Sequence, residues 1–143
     1  MEQLYTLCSD PELLLDFLYK IDHTLPVPLS QRINMEAFAR ESVKSPVYAV
    51  TENGRLLSAA LVFYGYLDKP FAYLNLLATV PGFEGRGYAR TLMDAAEAEA
   101  RKMGMTHFYL HANATNTRAV GFYERRGYRI LETEPKLHMA KIL

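Results

Sequence analysis

The feature that most constrains this chain is a pair of glycines between a β-prone run and a long helical pattern. The apolar run Phe71–Val80 leads through a turn into Glu84–Ala89, and a helical repeat follows directly. The first N–H groups of a helix have no intrahelical partner, and the helix dipole places partial positive charge there. Because glycine lets the backbone approach an anion closely, we interpret Glu84–Ala89, the glycine loop, as a phosphate site. The plainer alternative is a tight strand-to-helix turn.

Hydrophobic periodicity predicts strands and helices in the order β-α-α-β-β-β-α-β-α-β-β. Asn53-Gly54 predicts a hairpin, because a type I′ turn needs positive φ at both positions. A helix between the fourth and fifth strands predicts a parallel crossover. The predicted strands are Gln3–Leu7, Val47–Thr51, Leu56–Tyr66, Phe71–Thr79, Thr106–Ala112, Tyr128–Thr133 and Lys136–Lys141.

The predicted helices begin at residues that can accept a hydrogen bond from the first turn. The candidate caps are Ser9 or Asp10, Ser30 or Asn34, and Thr115 or Asn116. Ser9 and Glu12 also fit a capping box. The predicted inner face of the first helix is Leu13, Leu14, Phe17, Leu18 and Ile21, and that of the second is Met35, Phe38, Ala39 and Val43. The third helix is predicted to span Gly87–Met103 and the fourth Thr117–Arg125.

In the middle of the chain, one strand and one helix have patterns that predict how they pack. The strand Phe71–Thr79 is almost continuously apolar, which predicts cover on both faces. In the third helix Glu97 and Arg101 form an i,i+4 pair in the stabilising order. The predicted inner face of that helix is Ala89, Leu92, Met93, Ala96, Ala100 and Met103.

The composition is that of an ordinary globular protein. With 143 residues, of which 50% are hydrophobic, one domain spanning 1–143 is expected. Sixteen basic residues balance sixteen acidic ones, which argues against nucleic acid or an anionic membrane as partner. No apolar run approaches the roughly 18 residues of a membrane helix, and no signal peptide is recognisable. One cysteine, Cys8, fits a cytoplasmic protein without disulfides or a metal cluster.

Two segments carry a specific resemblance. Leu77–Ala89 reads as a strand, then Glu84-x-x-Gly87-x-Ala89, then a helix, and Asn116–Tyr128 reads Asn-x-x-Ala-x-x-Phe-Tyr-x-x-x-Gly-Tyr. In this order they resemble the two signatures of the GNAT superfamily of N-acetyltransferases, of which the first binds acetyl-CoA. The family usually has Arg or Gln at the place of Glu84. Since a carboxylate would repel a pyrophosphate, we expect Glu84 to point away and the backbone N–H groups to bind.

The resemblance implies an α/β (α+β) GNAT fold, with a mixed central sheet of about seven strands flanked by about four helices. It also implies acetyl-CoA as co-substrate, no metal, and a fold in which homodimers are common. The residues that it places at the CoA site are Leu77, Ala78, Thr79, Glu84, Gly85, Arg86, Gly87, Tyr88, Ala89, Asn116 and Tyr123.

The resemblance gives several of these residues a role. A backbone N–H near Leu77–Thr79 would stabilise the oxyanion of the thioester carbonyl. Tyr123 matches the tyrosine that protonates the departing thiolate; a phenol with a pKa of about 10 can act as an acid at neutral pH. Asn116 would contact the pantetheine arm, and Arg86 a phosphate. The plainer alternatives are a core aromatic, a helix cap and a surface arginine.

The general base is not evident from the sequence. Tyr73 and Asn75 are the predicted inward positions on the strand before the glycine loop, and neither is a good base, although Asn75 can orient a water or the acceptor. His111, His107 and Tyr64 are alternatives on neighbouring strands. The amine can also lose its proton to bulk water.

The predicted function is therefore transfer of an acetyl group from acetyl-CoA to a primary amine of a small molecule, such as an amino sugar, an amino acid or a small amine. The amine attacks directly in a ternary complex. Pro26–Arg32 and the tyrosines Tyr64, Tyr66 and Tyr73 are expected to wall the acceptor pocket. Two alternatives are an acyl-CoA sensor without turnover and a nucleotide-binding α/β domain. The latter lacks the Lys-Ser/Thr of a P-loop and the third glycine of a dinucleotide fingerprint.

Overall fold

A computed structural model describes residues 4–143, and within them the chain forms seven strands and four α-helices. The strands are β1 (Thr6–Leu7), β2 (Val47–Glu52), β3 (Arg55–Tyr64), β4 (Phe71–Thr79), β5 (His107–Ala112), β6 (Arg129–Glu132) and β7 (Leu137–Ile142), and the helices are α1 (Pro11–Ile21), α2 (Met35–Ser42), α3 (Tyr88–Lys102) and α4 (Thr117–Arg125). The sheet order is β1-β2-β3-β4-β5-β7-β6. β4 and β5 are parallel, as the crossover predicts, whereas β5 and β7 are antiparallel. The predicted mixed sheet with four helices is confirmed.

Most predicted boundaries differ from the observed ones by a residue or two. β3 ends at Tyr64 because Gly65 has a φ of 94° and Tyr66–Asp68 forms a 3₁₀ turn. The predicted strand end beyond Tyr64 is therefore wrong. The first strand contains Thr6–Leu7, and Gln3 lies outside the described residues.

The first helix begins one residue later than a capping box at Ser9 requires. Asp10 Oδ1 accepts a hydrogen bond from Glu12 N at 2.9 Å, and Pro11 occupies the first helical position. Proline is suited to that position, so the cap falls on Asp10 and the capping box is wrong. The caps of α2 and α4 are Asn34 and Asn116, one from each predicted pair.

The chain divides into two compact units. The first comprises the chain up to Val62 together with Leu76–Ala96, and the second comprises Phe63–Asn75 together with Glu97–Leu143. In the first unit the apolar faces of α1 and α2 share a core with β2 and β3. The buried residues of that core are Leu14, Phe17, Leu18, Ile21, Leu29, Met35, Ala39, Val47, Ala49, Leu56, Ala59 and Leu61.

The second unit is built around a buried carboxylate. Glu97 is only 2% exposed and accepts hydrogen bonds from Lys141 Nζ at 2.7 Å and Tyr128 Oη at 2.9 Å. Arg126 Nη2 lies 3.2 Å from the same carboxylate, whereas the predicted helical partner Arg101 lies at 3.8 Å. The i,i+4 spacing therefore predicted only Arg101, which lies further from the Glu97 carboxylate than Arg126 or Lys141 does. The close partners come from the end of α4 and from β7.

β4 is not covered on both faces. Ala72 and Leu74 are buried, but Phe71 and Tyr73 are half-buried and Asn75 is exposed. The prediction of a strand covered on both faces is therefore wrong. The residues that alternate with the buried ones are aromatic or polar, and they form the opposite face of the strand.

α3 buries most of its predicted inner face. Leu92, Met93, Ala96 and Ala100 are fully buried, but Met103 is 50% exposed. Met103 lies beyond Lys102, the last helical residue, so the helical period no longer applies to it. No helix in residues 4–143 combines the length and the apolarity needed to cross a membrane.

Replacing Glu97 with glutamine should destabilise the protein strongly, because it removes the negative charge that Lys141 Nζ and Arg126 Nη2 contact inside the cluster. Removing one partner of a buried ion pair costs about 3–5 kcal/mol. Urea unfolding of Glu97→Gln and of Glu99→Gln, on an exposed residue of the same helix, measures the difference. Equal stability of the two variants would contradict a structural role for the Glu97 cluster.

Candidate functional site

The glycine loop joins β4 to α3 in the first unit. Gly82, Gly85 and Gly87 all have φ between 78° and 93°, a range that side chains disfavour. Thr91 N donates a helical hydrogen bond to Gly87 O at 3.0 Å, which links the first turn of α3 to the glycine loop. The N–H groups at the start of α3 therefore lie outside the helical ladder and carry the positive end of the helix dipole. Tyr88 and Ala89, half-buried, are the first helical residues.

The two charged side chains of the glycine loop are turned onto the turn that precedes it. Glu84 Oε2 accepts a hydrogen bond from Gly82 N at 3.0 Å, so the carboxylate is turned onto the preceding turn. The Arg86 guanidinium lies 4.9 Å from the centre of the Phe83 ring. Both Glu84 and Arg86 are exposed.

The end of β4 is anchored by β3 within the first unit. Ser58 Oγ donates to Ala78 O at 3.0 Å and lies 2.9 Å from Thr79 Oγ1. Val80 N donates to Leu57 O at 2.8 Å. The residues predicted to lie beside the acetyl group, 77–79, are therefore held in an extended, half-buried strand end.

Asn116 and Tyr123, the two residues of the second signature that the resemblance places at the CoA site, lie at the N-cap of α4 and within α4, in the second unit. Asn116 Oδ1 accepts from Ala119 N at 3.2 Å, so it is the helix cap that plain sequence reasoning also allowed. Tyr123 is buried, with its ring 5.5 Å from that of Phe122 and 5.8 Å from that of Tyr128. Burial raises the pKa of Tyr123 well above its ordinary value, so the phenol keeps its proton at neutral pH.

The predicted base candidates separate into different environments. Tyr73 Oη lies 2.7 Å from His111 Nδ1, whereas His107 Nδ1 lies 2.8 Å from Thr106 Oγ1 of the adjacent residue. Asn75, two residues further along β4, is exposed. Tyr73 thus pairs with one of the two histidines on β5.

Tyr73 and His111 belong to an array of rings on one face of the second unit, which we call the aromatic face. Its members are Tyr66, Phe71, Tyr73, His107, Tyr109, His111 and His138. Tyr66 and Tyr73, two of the tyrosines expected at the acceptor pocket, stack with ring centroids 4.5 Å apart. The third, Tyr64, is half-buried at the end of β3.

The other segment expected at the acceptor pocket lies in the first unit. Asp22 accepts hydrogen bonds from the backbone N and the hydroxyl of Ser30, which fixes the segment Pro26–Arg32 to the end of α1. These bonds lower the pKa of Asp22. No cluster of three His, Cys, Asp or Glu side chains suited to a metal ion occurs among residues 4–143.

Sequence reasoning did not single out His138. It lies opposite His111 in the antiparallel pair of β5 and β7, and the two rings stack with centroids 4.5 Å apart. The alternation Leu137-His138-Met139 marks His138 as facing away from the core. Only the register with β5, which the sequence does not specify, places it against His111.

The chain matches known proteins over most of its length. The sequence model of the Acetyltransferase (GNAT) family matches residues 12–128. A mycothiol acetyltransferase of Propionibacterium freudenreichii is 33% identical over 46% of this chain and 21% of its own length. An uncharacterized N-acetyltransferase of Mycobacterium tuberculosis is 31% identical over 59% of this chain and 53% of its own. The chain thus spans about half, or less, of these curated relatives.

Solved structures share the fold. The PaiA N-acetyltransferase of Thermoplasma acidophilum, in complex with coenzyme A, superposes with a TM-score of 0.72 at 16% identity, covering 100% of both chains. The ribosomal-protein-S18-alanine N-acetyltransferase of Escherichia coli superposes with a TM-score of 0.74 at 21% identity, covering 96% of this chain and 93% of that one. With a family match over residues 12–128 and this fold, the chain belongs to the GNAT family of acetyltransferases, which are acyltransferase enzymes.

Proposed function

We propose that the protein transfers an acetyl group from acetyl-CoA to a primary amine of a small-molecule acceptor, by direct attack in a ternary complex. The observation that carries this proposal is the glycine loop at the start of α3, in a chain of the GNAT family. On this proposal residues 1–143 act as a single N-acetyltransferase domain.

The backbone of the glycine loop would hold the pyrophosphate of CoA. Gly85 and Gly87, both with positive φ, allow the loop backbone to approach a phosphate closely, and the N–H groups at the start of α3 supply donors without side chains. The bond from Gly82 N keeps the carboxylate of Glu84 on the turn, which reduces its repulsion of the phosphates. Arg86 can add a charge-assisted contact. A related fold, the PaiA N-acetyltransferase, is described in complex with coenzyme A, which supports the same co-substrate here.

The strand end and α4 would supply the groups that act on the thioester. A backbone N–H near Leu77–Thr79 donates to the carbonyl oxygen as negative charge develops on it. Asn116 contacts the pantetheine arm. Tyr123, kept protonated by burial, gives its proton to the sulfur as the C–S bond breaks. Thiolate is a good leaving group, so the acid provides only part of the rate acceleration.

Two observations support a small-molecule acceptor. The relative with 33% identity is named for mycothiol, whereas the structure named for a protein acceptor, ribosomal protein S18, is 21% identical. The chain also carries no net charge that would steer it to a polyanionic partner. An amine on a neutral or aromatic body would suit the aromatic face.

The test is acetyl-CoA-dependent thiol release with a panel of amino sugars, amino acids, small amines and peptides that begin with a free α-amino group. We expect release with at least one small amine and little with peptides. Release with peptides alone would replace the small-molecule acceptor by a protein N-terminus. Tight CoA binding without release on any amine would make the protein a sensor.

CoA at a hundredfold excess over its dissociation constant should stabilise the protein by about 2.7 kcal/mol. Gly87→Ala should lose most of this shift, because its Cβ narrows the approach to the loop backbone. Gly104→Ala is the matched control: Gly104 has a φ of 80°, close to the 79° of Gly87, but it follows α3 at its other end. Thermal melts of each variant with and without CoA separate the strain of the substitution from the loss of CoA binding. A full CoA shift in folded Gly87→Ala would remove the loop from the binding site.

Glu84→Gln should bind CoA as tightly as the wild type or more tightly. The amide oxygen can still accept from Gly82 N, and the negative charge near the pyrophosphate is gone. Glu84→Ala, which loses both the charge and the bond, is the comparison. Titration calorimetry measures the two dissociation constants. Weaker binding by Glu84→Gln would show that the carboxylate itself supports the loop.

Tyr123→Phe should lower kcat roughly 10–100-fold, at or below the low end of the usual effect of a positioned acid, with little change in the Kd for acetyl-CoA. The hydroxyl acts only as the thiolate departs, so its loss should appear in the chemical step. Tyr19→Phe, on an exposed tyrosine of α1 outside the proposed site, controls for loss of a phenol. Steady-state kinetics with the acceptor identified by the amine panel measures kcat for the wild type and for each variant, and titration calorimetry measures the Kd for acetyl-CoA. A normal kcat would return Tyr123 to a packing role.

A further inference from the structure

Ser58 is the one polar residue in the apolar run Leu56–Val62 of β3. It is fully buried, with 0% of the residue exposed. A buried hydroxyl without hydrogen bonds costs free energy, and the alanines that follow it show that a methyl group fits this strand. The hydroxyl of Ser58 bonds to Ala78 and Thr79, which lie at the end of β4 in the same unit.

These two hydrogen bonds form a chain with a fixed direction. Ser58 Oγ donates to Ala78 O at 3.0 Å, and it lies 2.9 Å from Thr79 Oγ1. A hydroxyl has a single proton, and Ser58 gives its own to Ala78 O. Thr79 Oγ1 is therefore the donor to Ser58 Oγ. The chain binds the carbonyl of Ala78 and the side chain of Thr79, so it fixes the peptide plane between these two residues.

This peptide plane directs an N–H group away from β3. The C=O and N–H groups of a trans peptide point in opposite directions. Because the Ala78 C=O points toward Ser58, the Thr79 N–H points away from it. The next N–H faces β3 again, as it does in an extended strand, since Val80 N donates to Leu57 O at 2.8 Å. The hydroxyl of Ser58 thus sets the direction of the Thr79 N–H.

We propose that Ser58 is a positioning residue that aims the Thr79 N–H at a carbonyl oxygen of acyl-CoA. The inference rests on the proposed function, which brings the acyl end of the co-substrate to Leu77–Thr79. Two kinds of carbonyl in acyl-CoA accept a hydrogen bond in the same way, the thioester carbonyl and an amide carbonyl of the pantetheine arm. A donor held in advance binds either one without the cost of ordering the strand end.

The test compares Ser58→Ala with the wild type for acetyl-CoA, for CoA and for 3′-phospho-ADP, which is the part of CoA without the pantetheine arm. Titration calorimetry measures each Kd. We expect Ser58→Ala to bind 3′-phospho-ADP as tightly as the wild type does, because the proposed function assigns the phosphates to the glycine loop. A substitution that only loosened the first unit would weaken the binding of this fragment as well.

The acyl end of the ligand distinguishes the two carbonyls. If the thioester accepts the bond, Ser58→Ala should lower kcat about 10-fold and leave the Kd for CoA unchanged. The infrared band of the ¹³C-labelled thioester carbonyl in bound acetyl-CoA should then move to higher frequency, because it loses a hydrogen bond. If a pantetheine amide accepts it, the Kd values for CoA and acetyl-CoA should both rise about 3–10-fold while that band stays in place.

Variants that keep or match the hydroxyl serve as controls. Ser58→Thr keeps the hydroxyl and should keep the wild-type values, and Ser58→Cys, with a weak S–H donor, should fall between serine and alanine. Thr24→Val is the matched control in the same unit. Thr24 Oγ1 donates to Ile21 O at 2.6 Å, so this variant loses the same kind of bond away from β4 and should keep the wild-type kcat, Kd values and infrared band.

The positioning role and the proposed function fail in different ways. A folded Ser58→Ala with wild-type kcat, Kd values and infrared band overturns the role of Ser58 and leaves the proposed function standing. Equal weakening of 3′-phospho-ADP and CoA also overturns that role, because Ser58 would then only support the fold. If the wild type acetylates no amine, the proposed function is wrong, and the Kd values and the infrared band still decide the role of Ser58.

Discussion

The register of β4, β5 and β7 is the constraint on which the second unit depends. Leu74 and Leu110 are paired and buried, and so is Met139, which lies opposite Leu110 on β7. A slip by one residue would turn these apolar side chains outward and bury the rings of Tyr73 and His111 instead. Burial of the apolar face therefore fixes the position of the aromatic face. The free energy that stabilises the fold also aligns the rings of Tyr73, His111 and His138.

α3 contributes to both units along its length. Its first turn follows the glycine loop and leaves N–H donors outside the helical ladder. Further along, Leu92 and Met93 are fully buried in the first unit, and Glu97 compensates two cations in the second. A buried carboxylate is tolerated only because Lys141 and Tyr128 donate to it at close range. Packing and charge thus hold the helix whose first turn follows the glycine loop.

Local chemistry was predictable from the sequence, and long-range pairing was not. Asn53 and Gly54 have the positive φ values, 53° and 75°, that the predicted type I′ hairpin requires. Turns and helix caps were predictable because they depend on residues a few positions apart. The two signatures added the resemblance that predicted the fold. The bond from Lys141 to Glu97 and the stacking of His138 on His111 depend on β7, which pairs with β5 across a long stretch of chain. A near-continuous apolar run also concealed that one face of β4 is only half-buried.

The central claim is direct acetyl transfer from acetyl-CoA to an amine. The most direct measurement follows carbonyl-¹³C-labelled acetyl-CoA by NMR in the presence of enzyme and amine, with the intact mass of the enzyme recorded in parallel. We expect the thioester signal to be replaced by an amide signal, with an equal amount of CoA and no acetyl group on the protein. Loss of the thioester as free acetate, or an acetylated enzyme that passes its label to the amine, would contradict direct transfer.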